Sequence, residues 1–278
     1  MKILFIGDIV GSVGREVVRE NLPKLKEQYQ IDLVIGNGEN AAHGKGITKK
    51  IYRQLLSYGI DIITMGNHTF SKNDLYSFID EAERMVRPAN MEPVDVGEHT
   101  IVVKVNGKRV AVTNLIGEVW MNNVVDSPFY CMEDILDNIE ADIYLVDLHA
   151  EATSEKIAFT YHFCDRVSAV VGTHTHVQTS DERIVYGCGA ITDLGMCGAY
   201  TSVLGRDVEE IITRFTSDKK TKYKIAEGPG IFCGAVMELD DETGRCVDIE
   251  RIRICPENIE VMWSDDSFDE EHHFSYML

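Results

Sequence analysis

The chain has 278 residues, of which 44% are hydrophobic, so it is long enough to bury the core of one sizeable domain. Its formal net charge of −19 argues against stable binding of long nucleic acids, which requires a positively charged surface. The longest apolar runs have the length of strands, so we expect no membrane association. The seven cysteines include no Cys-x-x-Cys pair, and the first apolar run leads into Asp8 rather than a cleavage site. We therefore expect free thiols and a cytoplasmic protein.

Predicted strands and helices alternate in the first part of the chain. This order is typical of right-handed parallel crossovers in an α/β fold. Thr48 is suited to begin a helix and Gly59 to end it. The predicted strands are 2–7, 32–36 and 60–65, and the predicted helices are 15–28, 48–59 and 73–83.

The rest of the chain is less regular. Asn106 and Gly107 predict a hairpin turn between two strands. Segment 117–133, which contains Trp120, is expected to form a loop or a small cap over a site. With no internal repeat or linker, we expect a single domain over 1–278, with any small cap inside about 70–130. The later predicted elements are strand 142–148, helix 154–164, strand 167–172, and β segments at 183–194 and 231–254 that indicate a second, more antiparallel sheet with a turn at Gly244.

Five predicted strands end in the same way: an apolar run is followed by a small residue and then by a side chain that can bind a metal ion. Because the carboxyl ends of parallel strands meet at one rim of an α/β sheet, we expect these side chains to lie close together. They offer too many oxygen and nitrogen ligands for one cation and about the right number for two. The pattern predicts a dinuclear metal hydrolase. Its residues are Asp8, Glu39, Asn40, Asn67, His68, His149, His174 and His176.

Most of these residues have an ordinary structural explanation when taken singly. Asp8 could cap a helix, Asn40 and Asn67 could be turn residues, and His149 could be a buried, hydrogen-bonded histidine. The combination of GNH at 66–68 with GTHTH at 172–176 is more specific, because two histidines two residues apart can each reach a different ion. The remaining histidines are expected to be structural or exposed: His43, His99, His162, His272 and His273.

The motifs resemble those of the calcineurin-like metallophosphoesterase superfamily, and in particular its YmdB-type branch. They are GD at 7–8, GNGEN at 36–40, GNH, the single histidine of DLHAE, and GTHTH. Val10 stands where the broad superfamily usually has a histidine. In the second motif, where the superfamily usually has Asp, this chain has Glu39, which is followed by Asn40. Both features are similar to the YmdB-type pattern. Thr69 stands where many relatives have Asp or Glu, so the usual partner of the catalytic histidine is not predicted.

The resemblance implies a fold of two packed mixed β-sheets flanked by helices, with a dinuclear metal site at the carboxyl ends of the strands. It implies that Glu39 bridges two ions and that His68 stays free of metal. A thiolate-free ligand set suits iron, manganese or zinc, and the resemblance favours iron, with manganese next. The implied ligands are Asp8, Glu39, Asn40 and His176 for the first ion, and Glu39, Asn67, His149 and His174 for the second.

Members of this branch act as phosphodiesterases on cyclic nucleotides, so the resemblance implies a small phosphodiester substrate such as 2′,3′-cyclic AMP. In that mechanism a metal-bridging hydroxide attacks phosphorus and His68 protonates the leaving alkoxide. Two alternatives stay open: a phosphomonoesterase or protein phosphatase with the same centre, and a metal-stabilised regulatory protein with incidental hydrolysis. His68 favours catalysis, because a structural metal site needs no free histidine. The sequence leaves open whether the chain forms a homo-oligomer.

Overall fold

A computed structural model describes residues 1–256 of the chain, and the histidine pair at 272–273 lies outside them. The described part contains fourteen strands and five α-helices. The helices are α1 (Gly11–Tyr29), α2 (Lys49–Tyr58), α3 (Pro128–Asn138), α4 (Thr153–Phe163) and α5 (Val208–Thr216). The strands are β1 (Lys2–Ile6), β2 (Asp8–Ile9), β3 (Leu33–Asn37), β4 (Ile62–Thr64), β5 (Met85–Val86), β6 (Thr100–Val105), β7 (Lys108–Ile116), β8 (Ile143–His149), β9 (Ala169–Thr173), β10 (Arg183–Val185), β11 (Cys188–Ile191), β12 (Met196–Ala199), β13 (Gly230–Leu239) and β14 (Cys246–Ile254).

The strands form two mixed sheets. The first has the order β2-β12-β13-β1-β3-β4-β5, and β14 also pairs with β13. In it, β1, β3, β4 and β5 are parallel, whereas β13 is antiparallel to β1. The second has the order β10-β11-β9-β8-β7-β6, with β7, β8, β9 and β11 parallel. The parallel strands of each sheet therefore end together at one rim.

The two sheets pack face to face and helices cover their outer faces. In β1, Ile3 and Phe5 point into the core between the sheets, whereas Leu4 and Ile6 contribute to the core under α1 and α2. Phe159 and Phe163 of α4 pack with Val146 of β8 in a third core on the other side. A strand buried on both faces must be apolar at each buried position, which explains the continuous apolar run at 3–6. The predicted fold class is confirmed.

The predicted turns and helix ends are confirmed in detail. The hydroxyl of Thr48 accepts a hydrogen bond from the Ile51 amide at the start of α2. Gly59 ends that helix with a φ of 105°, a left-handed conformation that glycine adopts without strain. Asn106 and Gly107 both have positive φ, as a two-residue hairpin turn between β6 and β7 requires.

The predicted helix at 73–83 is wrong. This segment forms short 3₁₀ helices at Thr69–Ser71, Asn73–Ser77 and Ile79–Glu81. Phe78 interrupts them with a φ of −149°, and its amide bonds the Leu75 carbonyl three residues back. The buried residues Leu75, Phe78, Ile79 and Ala82 have spacings that suit three residues per turn as well as 3.6.

The predicted second sheet from 183–194 and 231–254 is also wrong. β10 and β11 extend the parallel sheet beside β9, and β13 lies in the other sheet beside β1. Sequence alone does not give the pairing partners, because the pairing of a late strand, β13, with the first strand, β1, leaves no signal in the local sequence. The single domain over 1–278 stays a prediction. So does a small cap in those parts of 70–130 that lie outside β5, β6 and β7. Within residues 1–256, no helix combines the length and the apolar character that crossing a membrane would require.

Candidate metal centre

The predicted metal-binding side chains meet at the seam between the two sheets. Asp8 opens β2, directly after β1, and Glu39 and Asn40 follow β3. Asn67 and His68 follow β4 in the same sheet. From the second sheet, His149 is the last residue of β8, and His174 and His176 follow β9. The structure therefore brings together all of the ligands predicted from the strand ends, from positions as far apart as 8 and 176.

Asp8, Asn40 and His176 form one group, here called the Asp8 cluster. The amide nitrogen of Asn40 lies 3.4 Å from Asp8 Oδ1, 3.1 Å from His176 Nε2 and 2.9 Å from Glu39 Oε1. Asp8 Oδ1 and His176 Nε2 are 3.6 Å apart. The three side chains thus surround one small volume, and Glu39 lies at its edge.

Asn67, His149 and His174 form a second group, here called the His149 cluster. His149 Nε2 lies 2.9 Å from Asn67 Oδ1, 3.1 Å from His174 Nδ1 and 3.4 Å from Glu39 Oε1. Ligand atoms of Glu39, His149 and His174 all lie within 4.8 Å of one another, close enough to hold a metal ion. Glu39 is the residue that the two clusters share.

Gly66 lets the chain pass beside this carboxylate. A Cβ atom at position 66 would overlap Glu39 Oε2 and His149 Nε2. The next turn brings the amide of His68 to 2.9 Å from Glu39 Oε2, where it donates a hydrogen bond. The glycine of GNH is therefore required by close approach.

Buried polar groups fix the orientation of His149. The Thr173 hydroxyl donates to Asp147 Oδ1 at 2.7 Å and lies 2.8 Å from His149 Nδ1. A hydroxyl has one proton, so Thr173 must accept from Nδ1–H of the imidazole. When His149 is neutral, this arrangement leaves the lone pair of Nε2 directed into the His149 cluster, as a metal ligand requires.

The other two imidazoles are oriented in the same manner. His174 Nε2 lies 3.2 Å from Glu151 Oε2, and His176 Nδ1 lies 3.0 Å from the carbonyl of Leu204. Both partners are acceptors, so they hold a proton on the outer nitrogen of each ring. The inner nitrogens then face the clusters with free lone pairs, and the donor set fits cations.

The pKa values of the buried side chains refer to the metal-free protein. Burial raises the pKa of Asp8 to about 6, against the attraction of His176 and His149. Burial would also raise the pKa of Glu39, but His149 and His68 together outweigh it and hold this pKa below its usual range. Burial opposes protonation of His149, yet Glu39 raises the pKa of His149 to about 9. Burial and then the charge of His149 lower the pKa of His174 to about 3. Without metal, a proton on His149 thus compensates Glu39.

His68 is placed differently from the imidazoles of the clusters. Its side chain is partly exposed, and within residues 1–256 its ring donates to and accepts from no other side chain. Burial lowers its pKa below the ordinary value, although Glu39 acts in the opposite direction. Thr69, which replaces the expected acidic partner, is buried, and its hydroxyl donates to the Gly66 carbonyl at 2.5 Å. Thr69 therefore shapes the turn rather than contacting the ring of His68.

A family model described as YmdB-like protein matches residues 4–252. The chain belongs to the YmdB-like family. A family member from Bacillus subtilis, a 2′,3′-cyclic-nucleotide 2′-phosphodiesterase, is 48% identical over 257 residues, covering 91% of this chain and 97% of the relative. The resemblance to the YmdB-type branch is therefore confirmed.

Solved structures agree with the fold. A phosphatase from Mycoplasma pneumoniae has a TM-score of 0.87 and 38% identity, covering 92% of this chain and 93% of the other. A protein from Thermus thermophilus has a TM-score of 0.85 at 38% identity, covering 92% and 99%. A 5′-nucleotidase precursor from the same organism, at 14% identity and a TM-score of 0.52, covers 92% of this chain and 54% of its own and shares the fold alone. The prediction of a phosphoester hydrolase is confirmed at the level of enzyme class.

The sequence did not predict the residues behind the imidazoles. Asp147 and Glu151 flank His149 in DLHAE, and Thr173 lies between Gly172 and His174, so all three were within the motifs. A signal was available at Asp147: an aspartate in the middle of an apolar strand needs buried partners. It has them, because Asp147 Oδ2 accepts from the Thr64 hydroxyl at 2.5 Å and from the Asn37 amide at 3.3 Å.

Proposed function

We propose that this family member is a dinuclear metal-dependent phosphodiesterase that hydrolyses 2′,3′-cyclic nucleotides. The observation that carries the proposal is the pair of clusters that share Glu39, each with imidazole lone pairs directed inward. The activity named for the Bacillus subtilis relative supports the choice of substrate. A small cyclic phosphodiester also suits a partly open rim on an acidic protein, where the cations would supply the positive charge.

In this proposal, Asp8, Glu39, Asn40 and His176 hold one ion, and Glu39, Asn67, His149 and His174 hold the other. Asn40 would rotate its amide by about 180° to present Oδ1, since the oxygen and nitrogen of the amide occupy equivalent positions. The set offers carboxylate, amide and imidazole donors and no thiolate, which suits iron, manganese or zinc. The resemblance to the YmdB-type branch favours iron among them. When bound, two such ions would neutralise phosphate oxygens and bring the pKa of a bound water towards neutrality.

His68 is the proposed general acid. Water attacks phosphorus and releases a proton to the solvent, the bond from phosphorus to O2′ breaks, and O2′ takes a proton from the imidazolium of His68. The product keeps its phosphate on O3′. The ring suits this role because no other side chain of residues 1–256 hydrogen bonds to it, and because its low pKa makes the imidazolium a stronger acid. The same low pKa predicts a rate that falls as the pH rises through the pKa of His68, which burial places below 6.5.

The test is a panel of substrates with purified full-length protein, loaded anaerobically with Fe²⁺ or with Mn²⁺. We expect turnover of 2′,3′-cyclic AMP to 3′-AMP, its loss after chelation and its return with either metal. Release of 2′-AMP instead would contradict the proposed leaving group. No metal-dependent turnover of any phosphodiester would overturn the proposal.

A phosphomonoesterase is the second candidate, because the related structure from Mycoplasma pneumoniae is a phosphatase. Comparing kcat/KM for bis-p-nitrophenyl phosphate and p-nitrophenyl phosphate separates the two, since only the first is a diester. A higher kcat/KM for the monoester would favour the phosphomonoesterase.

A further inference from the structure

A buried ion pair lies behind the turn that carries two of the proposed ligands. Lys156 of α4 and Asp193, between β11 and β12, are 2% and 1% exposed. Lys156 Nζ lies 2.9 Å from Asp193 Oδ2. Neither residue hydrogen bonds to Asp8, Glu39 or His149, and the reaction proposed above does not use them. Taking both charges out of water is costly, and a well-packed apolar pair often serves stability as well or better.

Further hydrogen bonds of the two side chains go to residues 173–176, here called the histidine turn, while Asp193 Oδ1 accepts from the Gly195 amide at 2.8 Å. Lys156 Nζ donates to the Thr173 carbonyl at 2.9 Å, and the Thr175 amide donates to Asp193 Oδ2 at 3.1 Å. The backbone of Asp193 also bonds Thr179: its amide donates to the Thr179 hydroxyl at 2.9 Å, and its carbonyl accepts from the Thr179 amide at 3.1 Å and from the Thr179 hydroxyl at 3.2 Å. The charged side chains thus hold the turn at Thr173 and Thr175, and the backbone of Asp193 holds the segment after it.

The histidine turn is a conformation that needs holding. His174 has a φ of 103° and His176 a φ of 65°, in the left-handed region that residues with a Cβ rarely adopt. Gly172, just before the turn, leaves room for the side chain of Lys156. A Cβ at this position would overlap the Thr192 carbonyl and lie 2.8 Å from Lys156 Cδ. Two strained residues so close together persist only where their surroundings fix them.

We propose that Lys156 and Asp193 are positioning residues: they hold the histidine turn in the strained form that aims His174 at one cluster and His176 at the other. The inference rests on the proposed function, since it takes both histidines to be ligands. Lys156 fixes the turn at the Thr173 carbonyl and Asp193 fixes it at the Thr175 amide, one residue on each side of His174. Without the pair, the turn relaxes towards ordinary dihedral angles and the two imidazoles no longer point into the clusters.

The variant that tests this is the double substitution Lys156→Met with Asp193→Asn. It removes both charges together, so neither is left buried alone, and asparagine keeps an oxygen that can accept from one backbone amide. The matched control is Arg87→Met. Arg87 is equally buried, but its hydrogen bonds go to carbonyls of residues 88, 89, 94 and 96, away from both clusters.

The measurements are Co²⁺ and Zn²⁺ affinity by chelator competition, the visible spectrum of the Co²⁺ protein, and the Tm of the metal-free protein. We expect the double variant to stay folded, to bind cations roughly 10- to 100-fold more weakly and to show an altered Co²⁺ spectrum. The control should lose Tm and keep both affinity and spectrum.

Wild-type affinity and an unchanged Co²⁺ spectrum in the double variant would overturn the positioning role and leave the pair with a structural one. The positioning role would also be overturned if the double variant lost metal affinity only in proportion to the fraction of protein that is unfolded. Failure of the wild-type protein itself to bind two cations would overturn the proposed function, and is distinguished because it appears before any substitution.

Discussion

The two sheets contribute different chemistry to the candidate centre. The first sheet supplies oxygen donors, from Asp8, Glu39, Asn40 and Asn67, and the second supplies imidazoles, from His149, His174 and His176. The oxygen donors follow β1, β3 and β4 on tight turns, and Glu39 is fixed by the amide of His68. The imidazoles depend instead on acceptors behind each ring, in Thr173, Glu151 and the Leu204 carbonyl.

This difference separates two requirements of a metal site. The first sheet sets the negative charge that attracts cations, and the second sheet sets the direction of the lone pairs that bind them. Charge depends on which residue is present, whereas direction depends on residues that never touch the metal. Substitutions in the first sheet should therefore remove the charge that attracts cations, whereas substitutions in the second should misdirect the lone pairs that bind them. The predictions below run from the largest expected effect to the smallest.

Replacement of Glu39 by alanine should have the largest effect, because this carboxylate is shared by both clusters. We expect Glu39→Ala to lose both ions and all measurable metal-dependent turnover, as determined by elemental analysis and by hydrolysis of 2′,3′-cyclic AMP. Glu39→Gln is the matched variant, since it keeps the shape and removes the charge. Two tightly bound ions in Glu39→Gln would break the assignment of charge to the first sheet.

His68 follows the first sheet but belongs to neither cluster, so its loss should leave the metals in place. We expect His68→Ala to retain two ions and to lose roughly 10²- to 10⁴-fold in kcat, the usual worth of a general acid. The control is His162→Ala, at an exposed histidine of α4, which should keep both the two bound ions and the wild-type kcat. A wild-type rate in His68→Ala on a diester with a poor leaving group would remove the acid role.

Thr173→Val tests the direction of the lone pairs without removing a proposed ligand, although it also removes the hydrogen bond to Asp147. Valine keeps the shape of the side chain but cannot accept from His149 Nδ1, so the tautomer of the ring is no longer fixed. We expect a loss of roughly 10- to 100-fold in metal affinity with two ions still bound at saturation. Thr113→Val, which removes a buried hydroxyl bonded to Thr100 instead, should leave the affinity unchanged. Equal affinities in the two variants would contradict the comparison between the sheets.

The smallest effect concerns the pH dependence of the metal-free protein. The pKa of Asp8 is raised from 3.8 to about 6 and that of His149 from 6.5 to about 9. Both groups hold protons more tightly when folded, so their contributions are present at low pH and are lost as the pH rises through 6 and then 9. We expect the Tm of chelator-treated protein to fall by several degrees between pH 6 and pH 9. Metal-loaded protein should not show this fall, because cations replace the protons. A metal-free Tm that rises over this range would be inconsistent with the shifts.

The donors were predictable from the sequence because each one follows an apolar strand, and the carboxyl ends of parallel strands meet. The supporting residues were not, because they come from positions that the strand-end rule does not mark. Thr64, Asn37 and Thr173 reach Asp147 only once the two sheets have packed. Lys156 and Asp193 are 37 residues apart and meet across α4 and β11.

The errors in the fold have a related cause. At 73–83 the apolar spacing was compatible with more than one kind of helix, and the hydrogen bonds to Leu75 and Phe78 decided for 3₁₀ turns. The pairing of β13 with β1 joins residues more than 220 positions apart, as in Lys2 with Glu238. Local sequence patterns predict elements well and long-range partners poorly.

That pairing has a consequence for the order of events as the chain is made. β1 emerges first from the ribosome, yet the hydrogen bonds on one of its edges must wait for β13, near residue 230. β12, which holds β2 and therefore Asp8, also pairs with β13. Until then the nascent first sheet has an open edge that could pair with other strands. A chain that stops before β13 would leave both β1 and β12, which pair with β13, with an open edge, although every donor residue had already been translated.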